Sequence, residues 1–178
     1  MSKWIHTGIY SSPYGDLILG SYEYQLCLCD WRYRKSRENI DRRIQNDLTA
    51  SYVEAGSLTM EKCIDQLEQY FKGEREQFDL PVLLVGSDFQ KSVWMALQDI
   101  SYGKTLSYAK LSRRLGDENA IRAVARANGD NALSIIVPCH RILGSDGSLV
   151  GYAGGLRTKQ KLLQLENASL QQELNFDA

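Results

Sequence analysis

The chain has 178 residues and a formal net charge of −1, enough length for one substantial core or two small domains and no overall bias toward a polyanionic partner. Its four cysteines (Cys27, Cys29, Cys63, Cys139) are dispersed without a Cys-x-x-Cys pair, no secretory pattern opens the chain, and no apolar run approaches the roughly 18–20 residues that span a bilayer. These features exclude a disulfide scaffold and a helical membrane span, and lead us to expect a monomeric protein of the reducing cytoplasm, with no membrane or lipid anchor. Charge is nonetheless uneven along the chain: residues 88–166 hold 11 Lys/Arg against 7 Asp/Glu, a net +4, and the remainder 10 against 15, a net −5. Such asymmetry suggests nucleic-acid contact through the basic half, although a solvated basic face gives the same count.

In chain order, residues 3–10, 17–20 and 25–31 read as strands around the turn Ser12-Pro13-Tyr14-Gly15, a β-meander signal. Cys27 and Cys29, two apart on a strand, are expected to share a face as packing residues. Residues 37–48 follow with Ile40, Ile44 and Leu48 at helical spacing, and residues 58–72 carry Met60, Cys63, Ile64, Leu67 and Phe71 on one stripe before Gly73, so both read as amphipathic helices. An extended stretch over 80–88 contains Pro81 and Gly86. A domain boundary is expected there, dividing the chain into 1–86, 87–171 and a tail over 172–178.

Asp88 is expected to cap the next helix, with Phe89, Val93, Trp94, Leu97 and Ile100 on one stripe and Tyr102-Gly103 closing it. Two short helices over 108–115 and 120–128, joined by Gly116-Asp117-Glu118-Asn119, carry the pattern of a helix-turn-helix. The second is rich in alanine, including Ala123, and projects Arg122 and Arg126 from one face. A low surface lets a helix backbone approach a duplex while a long arginine reaches phosphates or the base stack. Close helix packing with solvated arginines is the alternative.

Ile135-Ile136-Val137-Pro138-Cys139-His140-Arg141 reads as a strand that stops at proline and pushes a thiol from the core into a pocket. A thiolate is the reactive form, and His140 and Arg141 are candidates to supply positive charge or accept its proton. Neighbours on such a segment point to different sides, so Cys139 and His140 would communicate through a water. A helix over 156–170 places Glu166 inward with Leu162 and Leu163. There its carboxylate could orient His140, with a surface pairing to Lys159 or Lys161 as the alternative. Asn131 could brace the bend at Pro138-Cys139, and Gly151-Tyr152-Ala153-Gly154-Gly155 could line a pocket with backbone groups.

Pro138-Cys139-His140-Arg141-Ile142, the residues from Asn119 to Asn128 before it and Gly151-Tyr152-Ala153-Gly154-Gly155 after it together resemble the O6-alkylguanine-DNA alkyltransferases, also called methylated-DNA–protein-cysteine methyltransferases. The resemblance runs in order from about residue 89 to 166. It implies an α/β protein: an N-terminal ribonuclease-H-like α/β domain followed by a mostly helical domain with a winged helix-turn-helix. It further implies that double-stranded DNA carrying O6-alkylguanine, or O4-alkylthymine, is the partner and that the damaged base is flipped out. Its alkyl group would then pass once to Cys139, activated through His140, water and Glu166, with no cofactor.

By position, the resemblance makes Arg122 the finger that fills the gap, with Ala123 and Arg126 on the same DNA-facing helix. Tyr108 would sit at the 3′ phosphate and base, Asn131 would brace the turn, and the backbone of Cys139, Ile142 and Ala153 would read the guanine edge beside Tyr152. Ile121, Ala125, Ala132 and Ala153 depart from the common pattern. Tyr22 and Cys27 stand where some members have zinc ligands, so no metal is expected. A transcription regulator and a cysteine hydrolase are rival readings; the single helix-turn-helix and the adjacent Cys139-His140 pair argue against them.

Overall fold

The computed structural model describes residues 3–167. β1 (Trp4–Ser12), β2 (Gly15–Tyr22) and β3 (Gln25–Trp31) form the expected meander. The β2–β3 turn holds both central residues, Glu23 and Tyr24, at positive φ, the twist that suits a two-residue hairpin. After α1 (Arg37–Leu48) the chain adds β4 (Ser51–Glu54), parallel to β1, giving a sheet of order β3-β2-β1-β4. The four-residue edge strand was not expected: Ser-Tyr-Val-Glu is too short and polar to announce itself. α2 (Leu58–Phe71) begins at Ser57, whose side chain accepts from the Met60 N–H.

Within β3 a register shift opposite Gly20/Ser21 inserts one extra residue. Such a bulge resets the alternation. Cys29 therefore packs with Leu26 and Trp31 in the main core, while Cys27 joins Ile5, Leu28 and Ile40 in a second cluster. The expectation that the two thiols share a face is thus overturned.

Within the stretch 80–88, residues 81–83 run along the free edge of β3, with Leu26 N–H donating to the Pro81 carbonyl at 2.7 Å and Leu83 N–H to the Leu26 carbonyl at 2.8 Å. Proline is tolerated because only its carbonyl is used. α3 (Asp88–Gln98) is capped by Ser87, not Asp88, in a reciprocal capping box with Gln90; the serine hydroxyl reaches the Gln90 N–H one residue earlier than expected. The helix ends at Gln98, two residues short of Ile100. Val93, Trp94 and Leu97 are buried, each contributing about 2 kcal/mol by removal from water.

β5 (Leu106–Ser107), α4 (Tyr108–Arg114) and α5 (Ile121–Gly129) follow, the two helices packed as the helix-turn-helix pattern requires. β6 (Ile142–Leu143) pairs in parallel with β5, and α6 (Leu156–Glu166) closes the domain. Residues 168–170 of the expected last helix and the 172–178 tail lie outside the described residues. No helix among the described residues is long and apolar enough to cross a membrane.

Candidate active site and DNA-facing helix

The apolar run before Pro138 is not a strand. Ile135 sits at φ +71°, Ile136 N–H bonds the Ser134 carbonyl, and Val137 N–H bonds the Leu133 carbonyl. Asn131, 1% exposed, fixes both ends of this compact turn: its Oδ1 accepts from the Leu133 N–H and its Nδ2 donates to the Val137 carbonyl, both at 2.9 Å. A side chain that satisfies the backbone locally removes the need for a strand partner. Cys29 N–H adds a single bond to the Ala132 carbonyl at 2.9 Å, anchoring the turn to β3.

Pro138 ends the turn, and Cys139–Arg141 form one turn of 3-10 helix. Three residues per turn send consecutive side chains about 120° apart, which parts Cys139 from His140, while the long Arg141 side chain reaches back to the carboxylate that His140 meets. Cys139 lines a cleft of about 620 Å³ with Tyr108, Asn131, Tyr152 and Ala153. Ile142 lies in the core, its side chain buried and its N–H bonded to the Cys139 carbonyl. The cleft floor is set from the N-terminal domain: Trp31 Nε1 donates to the Tyr152 hydroxyl at 3.0 Å. Gly154 lies against the same indole, where a Cβ would come within 2.8 Å of ring atoms.

His140 points away from the cleft into protein. Its Nε2 lies 2.7 Å from Glu166 Oε1, with both side chains fully buried. Arg141 grips the same carboxylate, Nε to Oε2 and Nη2 to Oε1 at 2.9 Å each, and its Nη1 reaches the Ile100 carbonyl. Tyr70 on α2 also donates to Oε1, at 2.7 Å. Burial opposes ionisation of Glu166, but His140 and Arg141 outweigh it and hold its carboxyl well below the usual range. An ionised carboxylate only accepts, so His140 Nε2 carries the proton. Nδ1 is buried without a protein partner among the described residues.

The inward placement of Glu166 agrees with the sequence expectation, and the surface pairing with a lysine does not occur. Lys159, at 0% exposure, instead donates to the Val150 and Gly151 carbonyls at 2.9 and 3.2 Å, and burial pulls its pKa down to about 8. Lys161 lies over the Tyr14 ring. A second correction concerns Arg141, which was expected as a charge for the thiol. Its guanidinium is committed to Glu166, and Lys159 and Arg34 are the cations that favour the Cys139 thiolate. Burial still dominates and raises the Cys139 pKa, with Asn131 acting against it. The resting sulfur is therefore a thiol.

Sequence reasoning missed Tyr70, Trp31 and Arg34, and named Lys159 only as an alternative surface partner of Glu166. Lys159 did carry a signal: with Leu162, Leu163 and Glu166 it completes an i, i+3, i+4, i+7 inward stripe. The other three act across the domain boundary, where spacing is silent.

On α5, Val124, Ala127 and Asn128 face the core while Arg122, Ala123 and Arg126 are exposed. Among the described residues, neither guanidinium of that pair makes a side-chain hydrogen bond or an ion pair. The opposite end of the helix is held firmly: Trp94 Nε1 donates to the Ala127 carbonyl at 2.8 Å, Arg43 to the Asp130 carbonyl at 2.8 Å, and Arg34 to the Gly129 and Asn131 carbonyls. Asp30 pins Arg34 and Arg37 from below. Cations at a helix C-terminus are favourable. Tyr108, half-buried at the start of α4, receives a bond from Asn128 at 3.4 Å and borders the cleft beside Cys139.

A sheet domain buttressing a helix-turn-helix, with a buried cysteine at the mouth of a cleft beneath the exposed helix, defines a DNA-binding protein equipped for chemistry on an extruded group. Comparison with known proteins narrows this class. Residues 5–84 match the model for the 6-O-methylguanine DNA methyltransferase ribonuclease-like domain, and residues 88–168 that for the DNA binding domain of the same proteins.

A methylated-DNA–protein-cysteine methyltransferase of Methanosarcina barkeri is 43% identical over 162 residues, covering 91% of this chain and 97% of the relative. One from Mycobacterium leprae is 41% identical over 165 residues, covering 91% and 92%. The crystal structure of Mycobacterium tuberculosis OGT in complex with DNA superposes with a TM-score of 0.77 at 37% identity, covering 93% of each chain. The chain belongs to the methylated-DNA–protein-cysteine methyltransferase family, enzymes that repair DNA by direct alkyl transfer.

Proposed function

We propose that the protein binds duplex DNA as a monomer through α5, extrudes an O6-alkylguanine into the cleft and transfers the alkyl group once to Cys139. Reaching an O6 substituent inside a duplex requires extrusion, which costs a few kcal/mol and least for a mispaired base. Arg122 fills the vacated space, Ala123 keeps the helix close to the groove, and Arg126 holds phosphate. Tyr108 crowds the backbone at the flipped nucleotide, and the backbone of Cys139, Ile142 and Ala153 reads the base edge beside Tyr152. This division assigns extrusion to residues 87–171 and support of the site to residues 1–86.

In the transfer step the Cys139 proton passes through a water to His140 Nδ1, and the sulfur forms a bond to the alkyl carbon. The bond from that carbon to O6 breaks, and guanine leaves as its oxygen or ring nitrogen takes up a proton. Glu166 and Arg141 hold the imidazole throughout. The product is a thioether, whose sulfur is a poor leaving group, so one molecule acts once.

The observation that carries this reading is the buried Glu166–His140 pair, which leaves Nδ1 of the residue next to the cleft-lining Cys139 without a protein partner among the described residues. Incubation with duplex DNA holding a single O6-methylguanine, followed by weighing of protein and DNA, is expected to show one methyl gained on Cys139 and repair stopping at one equivalent. Continued turnover, or methyl on another residue, would overturn it. Cys139→Ala is expected to bind the duplex and transfer nothing.

A further inference from the structure

We propose that Tyr70, on α2 of the N-terminal domain, is a positioning residue for alkyl transfer whose hydroxyl bond to Glu166 sets how strongly that carboxylate holds the His140 imidazole. The inference rests on the reading of His140 as the acceptor of the Cys139 proton and reaches beyond it, since it assigns the N-terminal domain a part in the proton transfer.

Three donors meet on Glu166 Oε1: Tyr70 Oη at 2.7 Å, His140 Nε2 at 2.7 Å and Arg141 Nη2 at 2.9 Å. Among the described residues, Oε2 takes only Arg141 Nε. Tyr70 is fully buried, packed against Phe71, Phe78 and Tyr102. Burial and the Glu166 charge push its phenol pKa up, so the hydroxyl is a permanent donor. Each donor on an ionised oxygen draws off part of its charge, and a donor on the very oxygen that holds His140 competes with it directly.

Without that hydroxyl the carboxylate charge falls more heavily on the imidazole. The protonated ring is then favoured, and fewer molecules carry the neutral base that can take the cysteine proton at a given pH. The other charged or titratable groups facing this pair are unaltered by loss of one oxygen: Arg141 within the network, Tyr102 with the Arg141 guanidinium 5.8 Å from its ring and Glu76 bearing on it, Tyr152 with its ring 6.5 Å from His140, the buried Lys159, and Cys139 at the cleft.

The test is Tyr70→Phe, which keeps the ring and its packing, assayed for single-turnover methyl transfer from a duplex with one O6-methylguanine across the pH range where an imidazole titrates. The acid limb of the rate profile is expected to move to higher pH by about half a unit, which is about threefold in rate on the limb, with the alkaline plateau retained. In a Glu166→Gln background the same substitution is expected to leave the limb where it stands. An unmoved limb, a shift to lower pH, or an equal slowing at every pH with a lowered thermal midpoint would overturn the assignment and leave Tyr70 a packing residue. If the parent protein itself gains no methyl on Cys139, it is the underlying reading that fails, so the two failures are distinguishable.

Discussion

The two sides of the catalytic turn are built on opposite principles. Behind it, Glu166 accepts from three residues, Lys159 spans two carbonyls, and Asn131 closes the turn on itself. In front, Arg122 and Arg126 project from α5 with no protein partner among the described residues. The buried side is completed at folding, whereas the exposed side keeps two cations free for the proposed DNA partner. Groups behind the turn should therefore act on every substrate and on stability, and groups in front only on duplex DNA.

Glu166→Gln tests the buried side most severely. It keeps the shape but strands the Arg141 guanidinium without its counter-charge and deprives His140 of an ionised acceptor. Transfer is expected to slow on the order of 10²-fold for duplex and free base alike, and stability to fall by about 3 kcal/mol, read from single-turnover rates and urea unfolding. Because the folded-state pKa of Glu166 is depressed, its contribution is complete above the unfolded carboxylate value near 4.5 and is lost as pH falls toward the folded value. The stability gap between parent and variant should close in strong acid. A gap that widened there would contradict the ion pair.

Arg122→Ala probes the other side. Transfer from duplex is expected to slow about tenfold or more, because the vacated stack is left unfilled and extrusion costs a few kcal/mol. Reaction with a free O6-alkylguanine base should be nearly unchanged, and stability should move by no more than about 0.5 kcal/mol at so exposed a position. Equal slowing on both substrates would erase the distinction between the two sides.

The same contrast governs what the chain discloses before it is folded. α1 was legible to the residue, the helix-turn-helix from its glycine-containing turn, and Glu166 from its helical stripe. The 135–137 run was misread because its apolar composition fits a strand. What decides its conformation is an asparagine side chain bonding across the turn and an isoleucine held at positive φ. Tyr70, Trp31 and Arg34 were invisible for a different reason. Each meets its partner about a hundred residues away, through a domain interface that no local period encodes.

Lys159→Met asks whether the buried lysine belongs to the first group. Loss of the ammonium frees the Val150 and Gly151 carbonyls and with them the cleft loop, and transfer should slow severalfold for all substrates, in keeping with a positioning role. The stability effect has a definite sign. Lysine keeps its proton to about 10.5 when unfolded but only to about 8 in the fold, so between these values the unfolded chain binds more protons and stability rises with pH. Relative to the methionine variant, the parent should gain stability between pH 7 and about pH 9.5 in denaturant titrations. A parent that lost ground over that interval would mean the lysine is not buried as described.

Arg126→Ala should have the smallest effect and is the sharpest test of the exposed side. Arg126, four residues from Arg122 on the same face, is proposed to hold a phosphate and not a base, and a phosphate contact carries no sequence information. Its removal should weaken binding of damaged and undamaged duplexes equally and reduce the slope of log affinity against log salt by about 0.9, the release of one condensed counterion. At saturating DNA the transfer rate should stay at the parent value, since nothing behind the turn has changed. A slower rate under saturation would connect Arg126 to extrusion or to the cleft, and the two sides of the catalytic turn would then be one cooperative unit.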